Sequence, residues 1–437
     1  MHYFSTRDKN HQQPHSFAQA VLRGLAADGG LFLPERLPQL PADFFQQLPQ
    51  LSKEDIGLTI ARAFIENEIP EDELRRIVTE TLAFPIPAVP VADRMLMLEL
   101  FHGPTMAFKD VGARFMARVL GYFAKQQAQQ PIKIVVATSG DTGSAVASGF
   151  FNVPGIEVYI LYPKGKVSPL QEKQLTTWGG NITALEVNGS FDDCQALAKK
   201  LLNDTALQQE VTLSSANSIN IARLIPQSFY YALAVQQHHG KGPLVIAVPS
   251  GNLGNLTAGI LLKQMGLPVA HFIAASNANA VFPDFLHSGH YHPQPSTATL
   301  SNAMDVGAPS NFERLQYLFQ DHLPAFQASI TGVSISDEVT RATMQQVYAD
   351  TGYILDPHGA VGYAALAPWL TAHPDATGMV LGTAHPAKFV EVVEETLGQS
   401  IAIPETLQAF ARKEKRAIPI EVNYEALQAI IRRNTGR

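Results

Sequence analysis

Four short stretches of this 437-residue chain carry residues whose types and spacing could do chemistry. In HGPTMAFKD (102–110) a lysine, Lys109, follows Met106, Ala107 and Phe108 and opens a segment with helical periodicity. Apolar neighbours and the positive end of a helix both favour a neutral amine. A lysine of lowered pKa is what an amine nucleophile or a Schiff base requires. In SGNLGNLTAG (250–259), Gly251 and Gly254 let the backbone turn tightly and approach a ligand, and the helix that follows offers unpaired N–H groups. That build suits a phosphate group, although it has neither the Gly-Lys-Ser/Thr ending of a nucleotide loop nor a G-x-G-x-x-G spacing. SGDTGSA (139–145) has the same build, with Asp141 and Thr142 adding side-chain oxygens. In SSANSINIARL (214–224), Asn217 and Ser218 stand where a strand gives way to a long helix, with Arg223 about one turn in. From there Arg223 could reach back to the helix start and hold a second phosphate.

Taken singly, each stretch has an ordinary reading. Most lysines are solvated, glycines punctuate strand and helix, Ser139 or Asp141 could cap a helix, and an arginine near a capped helix start faces solvent. Together they suggest pyridoxal phosphate (PLP), with a phosphorylated substrate beside it.

These residues need elements to bring them together. MLMLEL, KIVVATS, EVYILYP, ITALEV, VTLSSA, PLVIAVPS, HFIAAS and GMVLGT are short apolar runs, and most precede a helical pattern such as KDVGARFMARVLGYFAKQ or SINIARLIPQSFYYALAVQQ. Strand then helix, repeated, predicts an α/β fold with mainly parallel sheets covered on both faces. The number of strands points to two sheets with a cleft between two α/β subdomains, and ligands gather beyond the carboxyl ends of such strands. The first ~95 residues read as mostly helical, with caps at Ser16 and Ser52, and the proline cluster at 85–90 reads as a boundary.

Composition bounds the partners. Hydrophobic residues make up 46%, charged residues 16%, and the net charge of −7 is spread without basic runs, which argues against a nucleic-acid or anionic-membrane surface and for a small-molecule partner. No obligate protein partner is indicated. The single cysteine, Cys194, excludes an intrachain disulfide and any cysteine-cluster metal site, the polar opening MHYFSTRDKNHQQPHS lacks a secretory pattern, and no apolar run approaches a membrane span of ~18 residues. A cytoplasmic chain is expected. Of the 14 histidines, only His238-His239 and HSGHYHP (287–293) cluster, without a metal-ligand spacing, so no metal is expected.

In order along the chain, YFSTRDKN, FAQAVLRGLAADGGLFLP, ELFHGPTMAFKD, ATSGDTG, YPKGKVSPLQEKQ, SANSINIARL, PSGNLGNLTAG, TLSNAMDVGAPSN, DPHGAVGY and LGTAHPAKF resemble the threonine synthase family, in its longer form with an N-terminal extension. The resemblance runs nearly end to end. It implies a fold-type II PLP enzyme: a mostly helical N-terminal domain at 1–92, and a catalytic domain at 93–437 with two α/β subdomains around a cleft, the smaller roughly 110–235. By resemblance, Lys109 is the lysine that holds PLP and the acid/base of the reaction. Gly251, Asn252, Leu253, Gly254 and Asn255 surround the cofactor phosphate, and Thr383 faces the pyridine nitrogen. Ser139, Gly140, Asp141, Thr142 and Gly143 lie near the substrate carboxylate and the cofactor 3-oxygen. Asn217, Ser218 and Arg223 hold the substrate phosphate.

The implied reaction converts O-phospho-L-homoserine and water to L-threonine and phosphate, the last step of threonine biosynthesis. Many fold-type II enzymes place asparagine where Asp141 stands, and a carboxylate cannot donate to the cofactor 3-oxygen unless protonated. The long threonine synthases share the aspartate, and its role stays open. The runner-up is a PLP-dependent serine/threonine dehydratase-like β-eliminase, which needs no second phosphate site. A non-catalytic PLP-binding relative would be expected to lack Lys109.

Overall fold

The computed structural model describes residues 1–127, 130–240 and 242–433. Its strands are β1 (Tyr3–Ser5), β2 (Phe32–Pro34), β3 (Ala88–Ala92), β4 (Met95–Glu99), β5 (Ile132–Ala137), β6 (Ile156–Pro163), β7 (Ile182–Val187), β8 (Thr212–Ser215), β9 (Leu244–Pro249), β10 (His271–Ser276), β11 (Ile330–Ser334), β12 (Thr377–Gly382) and β13 (Ile418–Ile420). The eight apolar runs are β4 to β10 and β12. They form two sheets, one of order β11-β10-β9-β12-β4-β3 and one of order β13-β7-β6-β5-β8. Every pairing in these sheets is parallel except β3 with β4.

Both faces of each sheet are buried, which is why the central strands read as unbroken apolar runs. In β9, Leu244, Ile246 and Val248 enter one core while Val245 and Ala247 enter another. In β5, Ile132, Ile134 and Val136 share the first core, and Val135 and Ala137 enter a third. That first core is continuous between the sheets and takes in Tyr3, Phe17 and Phe64 of the N-terminal segment.

The N-terminal segment is helical at Phe17–Arg23, Phe44–Gln47, Lys53–Ile65 and Glu71–Thr81. Ser16 and Ser52 cap as expected, accepting from the Gln19 and Asp55 N–H groups. The segment also holds the antiparallel pair β1–β2, too short to read from the sequence. The proline cluster is itself partly a strand: Pro90 lies in β3, at the sheet edge, where a missing N–H costs no internal ladder bond. The expected long helix after residue 218 is broken. Helix Ile221–Leu224 passes into a 3₁₀ turn at Ile225–Gln227 around Pro226, then helix Ser228–Gln236, because proline cannot continue the hydrogen-bond ladder.

The C-terminal segment crosses back to the five-stranded sheet. β13 pairs with β7, and helix Tyr424–Arg432 packs on helix Phe191–Leu202. Among the described residues, no helix is long and apolar enough to cross a membrane, and no group of three or more His, Cys, Asp or Glu is placed to hold a metal.

Candidate active site

The carboxyl ends of β5, β8, β9 and β12 deliver residues 138–142, 217–223, 250–255 and Thr383 to one cleft between the sheets. Lys109, Ser139, Asp141, Thr142, Asn217, Ser218, Arg223, Gly251, Asn252, Leu253, Gly254, Asn255 and Thr383 all line it. Gly140 and Gly143 do not. Their N–H groups donate to Thr138 Oγ1 at 3.0 and 2.8 Å, which shapes the turn behind the cleft wall.

Lys109 is the first residue of helix Lys109–Gln127. Its approach is stitched to the exit of β12: Phe108 N–H donates to Thr383 O at 2.8 Å and His385 N–H to Met106 O at 3.1 Å. Those two bonds bring the lysine and the strand-end threonine together across 274 residues of sequence, counted from 109 to 383. Met106 takes a left-handed φ of 57° to make the turn. Asp110 locks it, accepting from Thr105 N–H at 2.9 Å and Thr105 Oγ1 at 2.6 Å.

Burial lowers the Lys109 amine to about 8; Asp141 opposes that shift, and Lys388 and Arg223 add to it. Lys388 carries the arrangement and has no signal in the sequence. It is buried, donates to Thr105 O at 2.9 Å, and stands 2.6 Å from Asp141 Oδ1. Gln171 Nε2 donates to the same Asp141 oxygen at 2.9 Å. Burial works against the Asp141 charge, but Lys388 and Lys109 overcome it and hold the carboxyl well below its usual range. A fixed carboxylate accepts hydrogen bonds and does not donate them.

The glycine loop has the build of an anion cradle. Leu253, left-handed at φ 59°, turns the chain so that helix Gly254–Gln264 begins at the cleft, leaving the N–H groups of Gly254 and Asn255 without intrahelical acceptors, while Leu256 N–H donates to Asn255 Oδ1 at 3.0 Å. A Cβ at Gly251 would meet Met304 Cα at 2.7 Å. Ser250 Oγ donates to Asn255 Oδ1 at 2.6 Å, and Asn252 Nδ2 donates to Ser218 Oγ at 2.8 Å, joining this loop to the second anion segment.

Arg223 is buried, contrary to the ordinary expectation for an arginine. One of its amines donates to Ala216 O, and its Nε has no partner among the described residues. Burial lowers it to about 10, with Tyr230 and Asp110 opposing. Asn217 lines the cleft but is committed elsewhere, its Nδ2 donating to Ala137 O at 2.9 Å. The residue that caps the following helix is Asn220, accepting from Ala222 N–H.

His358 and residues 303–306 also line the cleft, as do Phe191, Gln195 and Gln227. His358 Nδ1 lies 2.7 Å from Asp356 Oδ2, and its Nε2 accepts from Ala303 N–H at 3.3 Å, so the ring holds the 303–306 loop against the cleft. The donor set fits PLP: an amine in a desolvated pocket, an N–H cradle for a phosphate, and a hydroxyl at a strand end. Arg223 lines the same cleft, so its guanidinium could meet a second anion there.

Known proteins resemble this chain along its length. Residues 86–380 match the family described as pyridoxal-phosphate dependent enzyme, 2–82 match the threonine synthase N terminus, and 359–431 the threonine synthase C-terminal region. A threonine synthase of Serratia marcescens is 47% identical over 402 residues, covering 91% of this chain and 92% of that protein. The crystal structure of threonine synthase from Escherichia coli superposes with a TM-score of 0.92 at 44% identity, covering 99% of both chains. A PLP-bound threonine synthase structure from Brucella melitensis gives 0.91 at 34%, again over 99% of both. The chain belongs to the threonine synthase family of pyridoxal-phosphate-dependent enzymes.

Proposed function

We propose that this chain converts O-phospho-L-homoserine and water to L-threonine and inorganic phosphate, with PLP as cofactor. The observation that carries the reading is a pair of anion-suited donor sets in one cleft with a desolvated lysine: the start of helix Gly254–Gln264 and the buried guanidinium of Arg223. A β-eliminating dehydratase has use for only one of them. The match of residues 2–82 to the threonine synthase N terminus also favours the first reading.

Lys109 would hold the cofactor, the N–H groups of Gly251–Asn255 its phosphate, and Thr383 would face its ring nitrogen. Bound PLP supplies the electron sink that stabilises negative charge at the substrate's α- and β-carbons. At neutral pH an amine lowered to about 8 exchanges protons readily, so Lys109 is suited to take the α- and β-protons. The phosphate leaves from the γ-carbon, which takes up a proton to become the methyl group, water adds at the β-carbon, and a proton returns to the α-carbon. Arg223 and Ser218 would hold the departing phosphate, where charge-assisted hydrogen bonds are strongest. Ser139 and Thr142 line the end of the cleft proposed for the substrate carboxylate. Asp141, an acceptor held by Lys388, orients donors beside Lys109. The single, buried Cys194 supports a cytoplasmic setting. The test is release of phosphate and threonine from O-phosphohomoserine by the native protein against Lys109→Ala. Absence of both products with the native protein would overturn the reading.

A further inference from the structure

Arg314, in helix Phe312–Phe319, is fully buried. Its Nε and one amine donate to Phe32 O at 3.3 and 3.1 Å, and that amine also reaches Ile219 O at 2.6 Å. The other amine donates to Ser218 O at 3.1 Å and Asn311 Oδ1 at 2.7 Å. Every one of these acceptors is neutral. Among the described residues no carboxylate lies within ion-pair distance of the guanidinium. The neighbouring Glu313 turns outward, where Arg7 Nη2 meets it at 3.0 Å and Thr6 Oγ1 donates to it at 2.5 Å.

A buried arginine without a counter-charge needs an explanation, since an unpaired charge in the interior is costly. The groups Arg314 holds supply one. Asn311, fixed by its Oδ1, donates through Nδ2 to Ser218 Oγ at 3.2 Å and to Asn252 O at 3.1 Å. Ser218, fixed by its carbonyl, receives Asn252 Nδ2 on its hydroxyl. Ser218 and Asn252 line the cleft; Arg314 does not. One guanidinium therefore braces the place where both anion segments touch, and the counter-charge it lacks is one that a bound phosphate would bring. The carbonyl of Phe32 in β2 completes its shell, which ties the N-terminal segment to the cradle.

We propose that Arg314 is a positioning residue for phosphate binding: it acts through Asn311 and Ser218 to set the Gly251–Asn255 loop, and the N-terminal strand pair holds it in place. The inference rests on the assignment of that loop to the cofactor phosphate. The experiment titrates cofactor-free protein with PLP and with pyridoxal, which lacks the phosphate, and follows the absorbance of each bound aldehyde. Native protein is expected to favour PLP. Arg314→Met is expected to weaken PLP by about 10–100-fold, in the range of hydrogen bonds to charged groups, with pyridoxal nearly unchanged. Arg314→Lys, which keeps the charge without the fork, should fall between. Asn311→Ala leaves the arginine in place and should reproduce the selective loss, which covers the case of an Arg314 variant that does not fold. Equal weakening of both aldehydes in Asn311→Ala and Arg314→Lys, or no change in either, overturns the proposal. A native protein without preference for PLP would overturn the loop assignment as well.

Discussion

Lys388 Nζ stands 2.6 Å from Asp141 Oδ1, and this buried pair fixes a carboxylate beside the Lys109 amine. Removing one partner of a buried pair strands the other charge, at a cost of roughly 3–5 kcal/mol. Lys388→Met is therefore expected to lower the free energy of unfolding in urea by about that amount. Adding Asp141→Asn should restore most of the loss, since a neutral amide no longer needs the cation. A single variant as stable as the native protein would show that the pair contributes nothing to the fold.

The same pair sets the sign of a pH effect. A carboxyl held below its usual range contributes stability that is fully present above its unfolded value, ~3.9, and is lost as pH falls below it. Native protein and Asp141→Asn should thus differ in unfolding free energy near neutrality, with the difference shrinking below about pH 4. Urea titrations at a series of acidic pH values would measure it. A difference that grew on acidification would contradict an ionised Asp141.

Lys109 is shifted toward its neutral form. Burial brings it to about 8, where an ordinary lysine sits at ~10.4. In cofactor-free protein, the rate at which Lys109 is acylated by a small amine reagent should rise with pH and level off above about pH 8, read by mass spectrometry of its peptide. Asp141→Asn removes the group that opposes the shift, so its midpoint should lie lower. A native midpoint at the ordinary lysine value would mean that the pocket does not desolvate the amine.

Arg223→Ala separates the two anion sites. Loss of a charge-assisted hydrogen bond, worth about 1.5–3 kcal/mol, corresponds to about a 10–100-fold rise in KM for O-phosphohomoserine. The visible band of the bound cofactor should persist. If the cofactor were lost instead, Arg223 would belong to the cofactor phosphate and the two anion sites would have to be exchanged.

What could be read in the sequence follows burial. β5 and β9 are buried along their whole length and stand out as apolar runs, whereas β3, β11 and β13 lie at sheet edges, are partly solvated, and carry proline, glycine or only three residues. These three escape the apolar signal because part of each meets water. In the site, Lys109, the glycine loop and Arg223 could be named because each sits at a strand exit or helix start with a recognisable local pattern, and Thr383 through the family resemblance. Lys388 lies in a short 3₁₀ turn after His385, and only its contact across the fold with Asp141 reveals it. Arg314 was hidden for the same reason: its acceptors at 32, 218, 219 and 311 are scattered in sequence and converge only in space.

Two glycines on the two sides of this distinction give a last comparison. At Gly165, φ is +67° and a Cβ would meet nothing within 4 Å, so Gly165→Ala carries only backbone strain, about 1 kcal/mol. At Gly251 the Cβ would meet the Met304 backbone at 2.7 Å, so the 303–306 loop must shift, and that loop and the glycine loop both line the cleft. Gly165→Ala should lower the unfolding midpoint slightly and leave PLP affinity unchanged. Gly251→Ala should weaken PLP binding well beyond its effect on stability, because His358 holds Ala303 on one side of the displaced loop while Asn252 is held by Ser218 on the other. Parallel urea unfolding and PLP titration of the two variants would decide it: equal PLP affinity in both would show that the loop yields without disturbing the cradle.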